Sequence, residues 1–197
     1  MTTWSRDEIE QAFRHYFMTG IVYEDWTAWS RLFTDDATYH DHFWGTFHGP
    51  REVERFLEGT MSGACHVYSA LKWYVIGDDR VIYEVFNRAD HPMAGRPPIE
   101  FPSIQVICYA GNGKWKSEED WWVMADMVRM RNQWLAALEE AGSPDFAQQL
   151  SRRDWGPWVD WARPAPGHVA KPSWVGKNVA PILRFKDMDF GVRTPPM

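Results

Sequence analysis

Between Leu32 and His42 the chain reads Leu-Phe-Thr-Asp-Asp-Ala-Thr-Tyr-His-Asp-His, and an isolated Cys65-His66-Val67-Tyr68 follows further on. Successive side chains of a strand point to opposite faces, so Tyr39 and Asp41 share one face and His40 and His42 the other. A carboxylate turned toward an aromatic-lined cavity is desolvated and becomes a base near neutral pH. His66 can give or take a proton in the same range. The readable chemistry is therefore acid–base work by Asp41 and His66, with Tyr39 and Gln105 holding a hydroxyl or a developing oxyanion. His40-x-His42 also places two imidazoles side by side, with Asp41 as a possible third metal ligand. No further ligand has a convincing spacing, so no metal is expected.

Glu84, Asn87 and Arg88 lie together in a later strand-like run. One register turns Glu84 and Arg88 to the His66 side and the other turns Asn87 there.

These groups need elements to carry them. Ser5 with Glu8 forms a capping box, and Ile9, Phe13, Tyr16 and Phe17 recur at helical spacing, predicting a helix from about Arg6 to Thr19. A shorter helix carries Trp26, Trp29 and Phe33. Gly45 to Gly49 reads as a turn, and Pro50 as the first residue of a third helix. Strands are predicted over 65–76, 80–90, 99–109 and 114–123, broken by Gly77-Asp78-Asp79, Pro92 to Pro98 and Gly111-Asn112-Gly113. The fold class is α+β: a curved antiparallel sheet and N-terminal helices forming a cone with an internal pocket. A helix through Met127, Met130, Trp134, Leu135 and Leu138 ends at Gly142. The cone domain is thus 1–142. The extension 143–197, with a short helix around Asp145 to Arg153 and an irregular Trp-rich tail, packs on the body or on a neighbouring subunit.

With 13 tryptophans and 16% aromatic residues, the chain must bury rings in a core, a pocket or an oligomer interface. Its net charge of -6 argues against nucleic acid as a partner. No apolar run is long enough for a bilayer and the N-terminus has no signal-like apolar region, so a cytoplasmic protein with no membrane partner is expected. Cys65 and Cys108 sit in apolar runs as buried thiols. No phosphate loop or dinucleotide fingerprint occurs, which implies no cofactor.

Asp25-Trp26, the run Leu32 to Tyr39 and Gly113-Lys114-Trp115-Lys116, in this order of elements, resemble the SnoaL-like branch of the nuclear-transport-factor-two-like superfamily over roughly residues 5 to 140. By that resemblance the general-base aspartate of ketosteroid isomerase falls on Asp41, and its oxyanion-hole tyrosine near Tyr16 or Phe17. The catalytic histidine of scytalone dehydratase falls on His66, and its substrate-binding asparagine on Gln105. SnoaL-type cyclases carry an aspartate where this chain has Val123, which speaks against cyclase chemistry. The superfamily's pocket face selects Ser117, Glu119 and Trp121.

The resemblance implies a cofactor-independent lyase or dehydratase acting on a bulky phenolic alcohol, with or without carbon–carbon cleavage as in lignin-derived diarylpropane lyases. His66, Asp41, Tyr39 and Glu119 are the catalytic candidates. Gln105, Trp26, His42, Arg88, Glu84 and Trp121 are the substrate-binding ones, in a homodimer or homotrimer. The alternatives are a non-catalytic domain that binds a hydrophobic ligand or builds an oligomer, and an isomerase of a polycyclic ketone.

Overall fold

The computed structural model describes residues 4–142, 153–184 and 187. Ser5 caps the first helix, α1 (Arg6–Tyr16), by accepting from the Glu8 amide at 3.1 Å, and Ile9, Ala12, Phe13 and Tyr16 form its buried face. From Phe17 to Val22 the helix widens to π geometry and runs past the predicted end. Gly20 lies against the Trp29 ring there, and a Cβ at Gly20 would fall 2.3 Å from Trp29 Cδ1. Asp25 caps α2 (Trp26–Ser30), which is followed by β1 (Phe33–Asp41), so Phe33 opens a strand and does not belong to the helix.

The predicted turn over Gly45 to Gly49 is instead a short strand, β2 (Gly45–His48), paired antiparallel to β1. Phe47 is buried there and stacks on Phe56 at 4.0 Å, and that burial outweighs the turn propensity of the flanking glycines. Next comes α3 (Gly49–Gly63), with Pro50 in its first turn and Val53, Phe56 and Leu57 buried.

The remaining strands are β3 (Tyr68–Ile76), β4 (Arg80–Ala89), β5 (Ile99–Gly111) and β6 (Lys114–Trp122). They form the expected antiparallel meander, and β1 then joins β6 in parallel, giving one curved, unclosed mixed sheet in the order β2-β1-β6-β5-β4-β3. The helices α1 to α3 cover its inner face. There they build an aromatic cluster containing Phe13, Tyr16, Phe17, Trp29, Phe33 and Trp115. The C-terminal helix α4 (Met124–Ala141), closed by Gly142 at φ 72°, buries Met130 and Trp134 in a separate small cluster with Ala89 and Phe101. Two apolar clusters therefore lie along one face of the sheet.

Most of the helix expected around Asp145 falls outside the described residues. The chain from Arg153 packs on the body: Arg153 forms a buried ion pair with Glu24 at 2.9 Å. Trp161 meets Phe13 and Phe17 edge-on, and the Ile182 amide bonds the Gly59 carbonyl at 2.9 Å. No helix among the described residues is long and apolar enough to cross a membrane.

Candidate functional site

The parallel pairing of β1 with β6 sets Tyr39 beside Glu118, His40 beside Glu119 and Asp41 beside Asp120. Further along the same rows, Asp120 is opposite Gln105 and Gln105 is opposite Tyr83. The inner face thus carries Tyr39, Asp41, Glu118, Asp120, Gln105 and Tyr83, and the outer face His40, His42, Glu119 and Trp121. The expected split of Tyr39 and Asp41 from the two histidines holds.

Placing Glu119 and Trp121 on the pocket face does not hold. Trp115 points inward and is fully buried, and strict alternation from it turns Ser117, Glu119 and Trp121 inward. The pairing runs Tyr109 with Trp115 and then Cys108 with Ser117, so Lys116 has no opposite residue. This bulge reverses the parity of the rest of β6 and sends Glu118 and Asp120 inward. Glu119 instead meets His42 Nε2 at 2.9 Å on the outer face, where Trp121 stacks on the His42 ring with centroids 4.8 Å apart.

The inner carboxyls are held by phenols. Tyr16 donates to Glu118, Tyr83 reaches both the Tyr16 hydroxyl (3.2 Å) and Glu118 (3.4 Å), and Tyr39 donates to Asp120. Glu118 is only 4% exposed, and burial next to Asp120 raises its carboxyl well above the usual carboxylate range. Asp120 is pushed up to about 8 by burial first and by the Asp41 charge second. Burial also raises all three phenols well above their ordinary range, so they remain neutral donors.

Asp41 is buried and fully partnered. Its Oδ1 accepts from the Phe43 and Trp44 amides at 2.8 and 2.7 Å, and its Oδ2 from Trp122 Nε1 at 3.0 Å. It shapes the β1–β2 turn and raises Asp120. Asp120 Oδ1 and Gln105 Oε1, by contrast, are sealed from solvent without a hydrogen-bond partner. Gln105 Nε2 bonds Ser103 Oγ (2.6 Å), which also receives Asn87 Nδ2 (2.9 Å), and Ser69 closes the chain on Asn87 (2.7 Å). A polar layer therefore separates the two apolar clusters.

Asn87 is the inward residue of its strand, which decides the open register. Glu84 and Arg88 point outward, contrary to their expected place in the pocket. Glu84 pairs with Lys72 (2.9 Å) and Trp73, and Arg88 with Glu100 (2.6 Å) and the Trp158 ring. Trp26 is a core residue, edge-on to Trp29 at 5.5 Å. His66 lies in the turn before β3 and does not open that strand. Its ring stacks on Trp134 of α4 at 3.7 Å, and burial lowers it to about 4, so it is neutral at pH 7. His66 and Asp41 thus have different partners, in place of the expected convergence.

The rings expected to line an open pocket pack against one another in the main cluster. Two clefts lie elsewhere: one of about 180 Å³ beside Arg153, Trp155 and His168, and one of about 540 Å³ between the β4–β5 connection and α4. Sequence reasoning missed Glu118, Asp120 and Tyr83 as site residues. The resemblance to ketosteroid isomerase had pointed near Tyr16, and the odd spacing from Trp115 to an acidic run was the available signal for the others.

Residues 12–118, just over half of the 197, match the SnoaL-like domain family. The chain belongs to that family. No curated protein is similar in sequence at a significant level. Among solved structures, this SnoaL-like chain is similar to an LEH-like epoxide hydrolase from M. tuberculosis (20% identity, 68% of this chain and 96% of that one, TM-score 0.52). It is also similar to a SnoaL-like polyketide cyclase candidate from Shewanella putrefaciens CN-32 (13%, 63% and 85%, 0.51). A third is an epoxide hydrolase/cyclase-like enzyme with a role in pyran ring formation in the polyether salinomycin (17%, 62% and 97%, 0.50). At these identities the likeness shows the fold, the nuclear-transport-factor-two-like cone, and the chemistry has to be argued from this chain's own residues.

Proposed function

We propose that this SnoaL-like protein is a cofactor-independent acid–base enzyme, a dehydratase or lyase of a bulky aromatic alcohol, in which Asp120 and Glu118 handle the protons. The observation that carries the reading is the pair of buried, unpartnered oxygens, Asp120 Oδ1 and Gln105 Oε1, on adjacent strands in register. Leaving such atoms unpaired costs about 1–3 kcal/mol each, a cost that a substrate hydroxyl removes by accepting from protonated Asp120 Oδ1 and donating to Gln105 Oε1.

The chemistry follows from two carboxyls that cannot both ionise in one dry site. Glu118 stays protonated beside Asp120, and Asp120 exchanges its proton with the substrate. Asp120, protonated near neutral pH, delivers its proton to the leaving hydroxyl, the C–O bond breaks and water departs. The Asp120 carboxylate so formed, flanked by Glu118, takes the proton that the substrate gives up from a phenolic O–H or an adjacent C–H, and a conjugated product results. Tyr39 and Tyr16 keep both carboxyls oriented through the exchange. The substrate's rings would lie on the α4 side of the polar layer, against Phe101 and Trp122. Phe101, Met130 and Trp134 form a cluster separate from the main core, so α4 can shift without unpacking the helices of the cone.

The test is a panel of aromatic alcohols read by the ultraviolet spectrum of a newly conjugated product. Turnover by the native chain, with Asp120→Asn retaining ligand binding but losing turnover by about 10²–10⁴-fold, supports the reading. Binding without turnover in the native chain makes it a ligand-binding domain instead. Full activity in Asp120→Asn removes the assignment.

A further inference from the structure

On the opposite face of the same two strands, we infer a binding site for a zinc-class divalent ion, formed by His40, His42 and Glu119. It is independent of the proposed acid–base reading, since none of its ligands reaches the inner face. One ring nitrogen from each histidine and one carboxylate oxygen of Glu119 lie within 4.8 Å of one another.

Three features of the sheet make this more than an accidental meeting of polar groups. His40 and His42 are two residues apart on a strand, so their imidazoles project side by side, with centroids 4.6 Å apart. Glu119 is the direct neighbour of His40 across the parallel β1–β6 pairing, a position it occupies only because of the bulge at Lys116. Two flanking groups then restrain the rings. Thr46 Oγ1 lies 2.7 Å from His40 Nδ1, and Trp121 stacks on His42 with planes 27° apart. A metal taken up through His40 Nε2 leaves the Thr46 contact in place, the usual way a ligating histidine is oriented.

Two imidazoles and one carboxylate suit a borderline ion of the zinc class better than a hard ion such as Mg²⁺. Ligand distances of about 2.0–2.2 Å set the donor atoms about 3.4 Å apart in a tetrahedron, so small side-chain rotations close the site. His42 and Glu119 have side chains 41% and 42% exposed, which allows those rotations and gives the ion a path from solvent. Three protein ligands leave a coordination position for water, the pattern of an open site. The Glu119–His42 contact of 2.9 Å is what the ion would replace.

Zinc chloride titrated into the untagged, chelator-treated full-length chain by isothermal calorimetry tests the assignment. The expected result is uptake of one equivalent with a Kd of about 10 µM or tighter. His42→Gln and Glu119→Gln, both on the surface, should each weaken it by about tenfold or more, and His40→Gln likewise. Thr46→Val keeps every ligand and should still weaken binding by roughly tenfold, because the His40 ring loses its restraint. Glu84→Gln, an acid on the same face without histidine neighbours, should bind as the native chain does. Absence of uptake at about 100 µM zinc, or uptake indifferent to His42→Gln and Glu119→Gln in variants with native circular dichroism, overturns the site.

Discussion

The two faces of β1 and β6 use the same residue types to opposite ends. On the inner face Tyr39, Asp41, Glu118 and Asp120 are buried among rings, and the carboxyls are driven toward their neutral forms. One residue away, His40, His42 and Glu119 keep contact with water, and their hydrogen bonds are of the kind an ion can replace. An acid buried without a cation becomes a proton donor, whereas the same acid beside two imidazoles at the surface becomes a ligand. Which role an acid takes in β6 is set by the bulge at Lys116, because a single extra residue decides which of Glu118, Glu119 and Asp120 faces the core.

Shifting the parity of β6 by one residue beyond that bulge breaks the distinction most severely. Insertion of one alanine between Ser117 and Glu118 shifts the rest of β6 by one residue, turns Glu119 and Trp121 inward and exposes the Glu118 and Asp120 positions. The expected cost exceeds about 4 kcal/mol, measured as loss of the cooperative urea transition. A near-native transition would show that the pairing does not fix the two faces.

Next in size is the catalytic contrast. Asp120→Asn should lower turnover of any active alcohol by about 10²–10⁴-fold, and Glu84→Gln on the outer face should leave it within about twofold, both read as kcat/KM.

The third prediction concerns acid. The folded His66 titrates near 4, below its usual value of 6.5, so the unfolded chain binds the extra proton between those values. The stability from neutral His66 is therefore present above pH 6.5 and lost as the pH falls through 4, by up to roughly 2–3 kcal/mol. His66→Gln should flatten the urea midpoint against pH across that window. An unchanged slope would mean that the stack on Trp134 does not control the proton.

The last effect has the opposite sign. The folded Asp120 titrates near 8 against 3.8 in the free chain, so the folded state binds the extra proton between them, and this stability is lost as pH rises toward 8. Asp120→Asn cannot ionise. Its melting temperature relative to the native protein should rise between pH 5 and 9, by several degrees. A pH-independent offset would remove burial of a neutral carboxyl from the account.

Much of this protein is set by its local chemistry. The Ser5 cap, Pro50 in the third helix, Gly142 at the last helix end and the split of Tyr39 and Asp41 from His40 and His42 follow from propensity, capping and strict alternation, which act within a few residues. They suffice for the α+β class, and the run from Leu32 to Tyr39 carries the family resemblance. The tertiary structure decided what depends on partners far along the chain. The strand at Gly45–His48 exists because Phe47 finds Phe56, and His66 is tied to Trp134 and not to Asp41. Glu118 and Asp120 face inward because β5 pairs with β6 around an unpaired Lys116. A one-residue bulge has almost no signature in the sequence, yet in a structure of period two it inverts every side chain beyond it, and with them the division between acid–base chemistry and ligand chemistry.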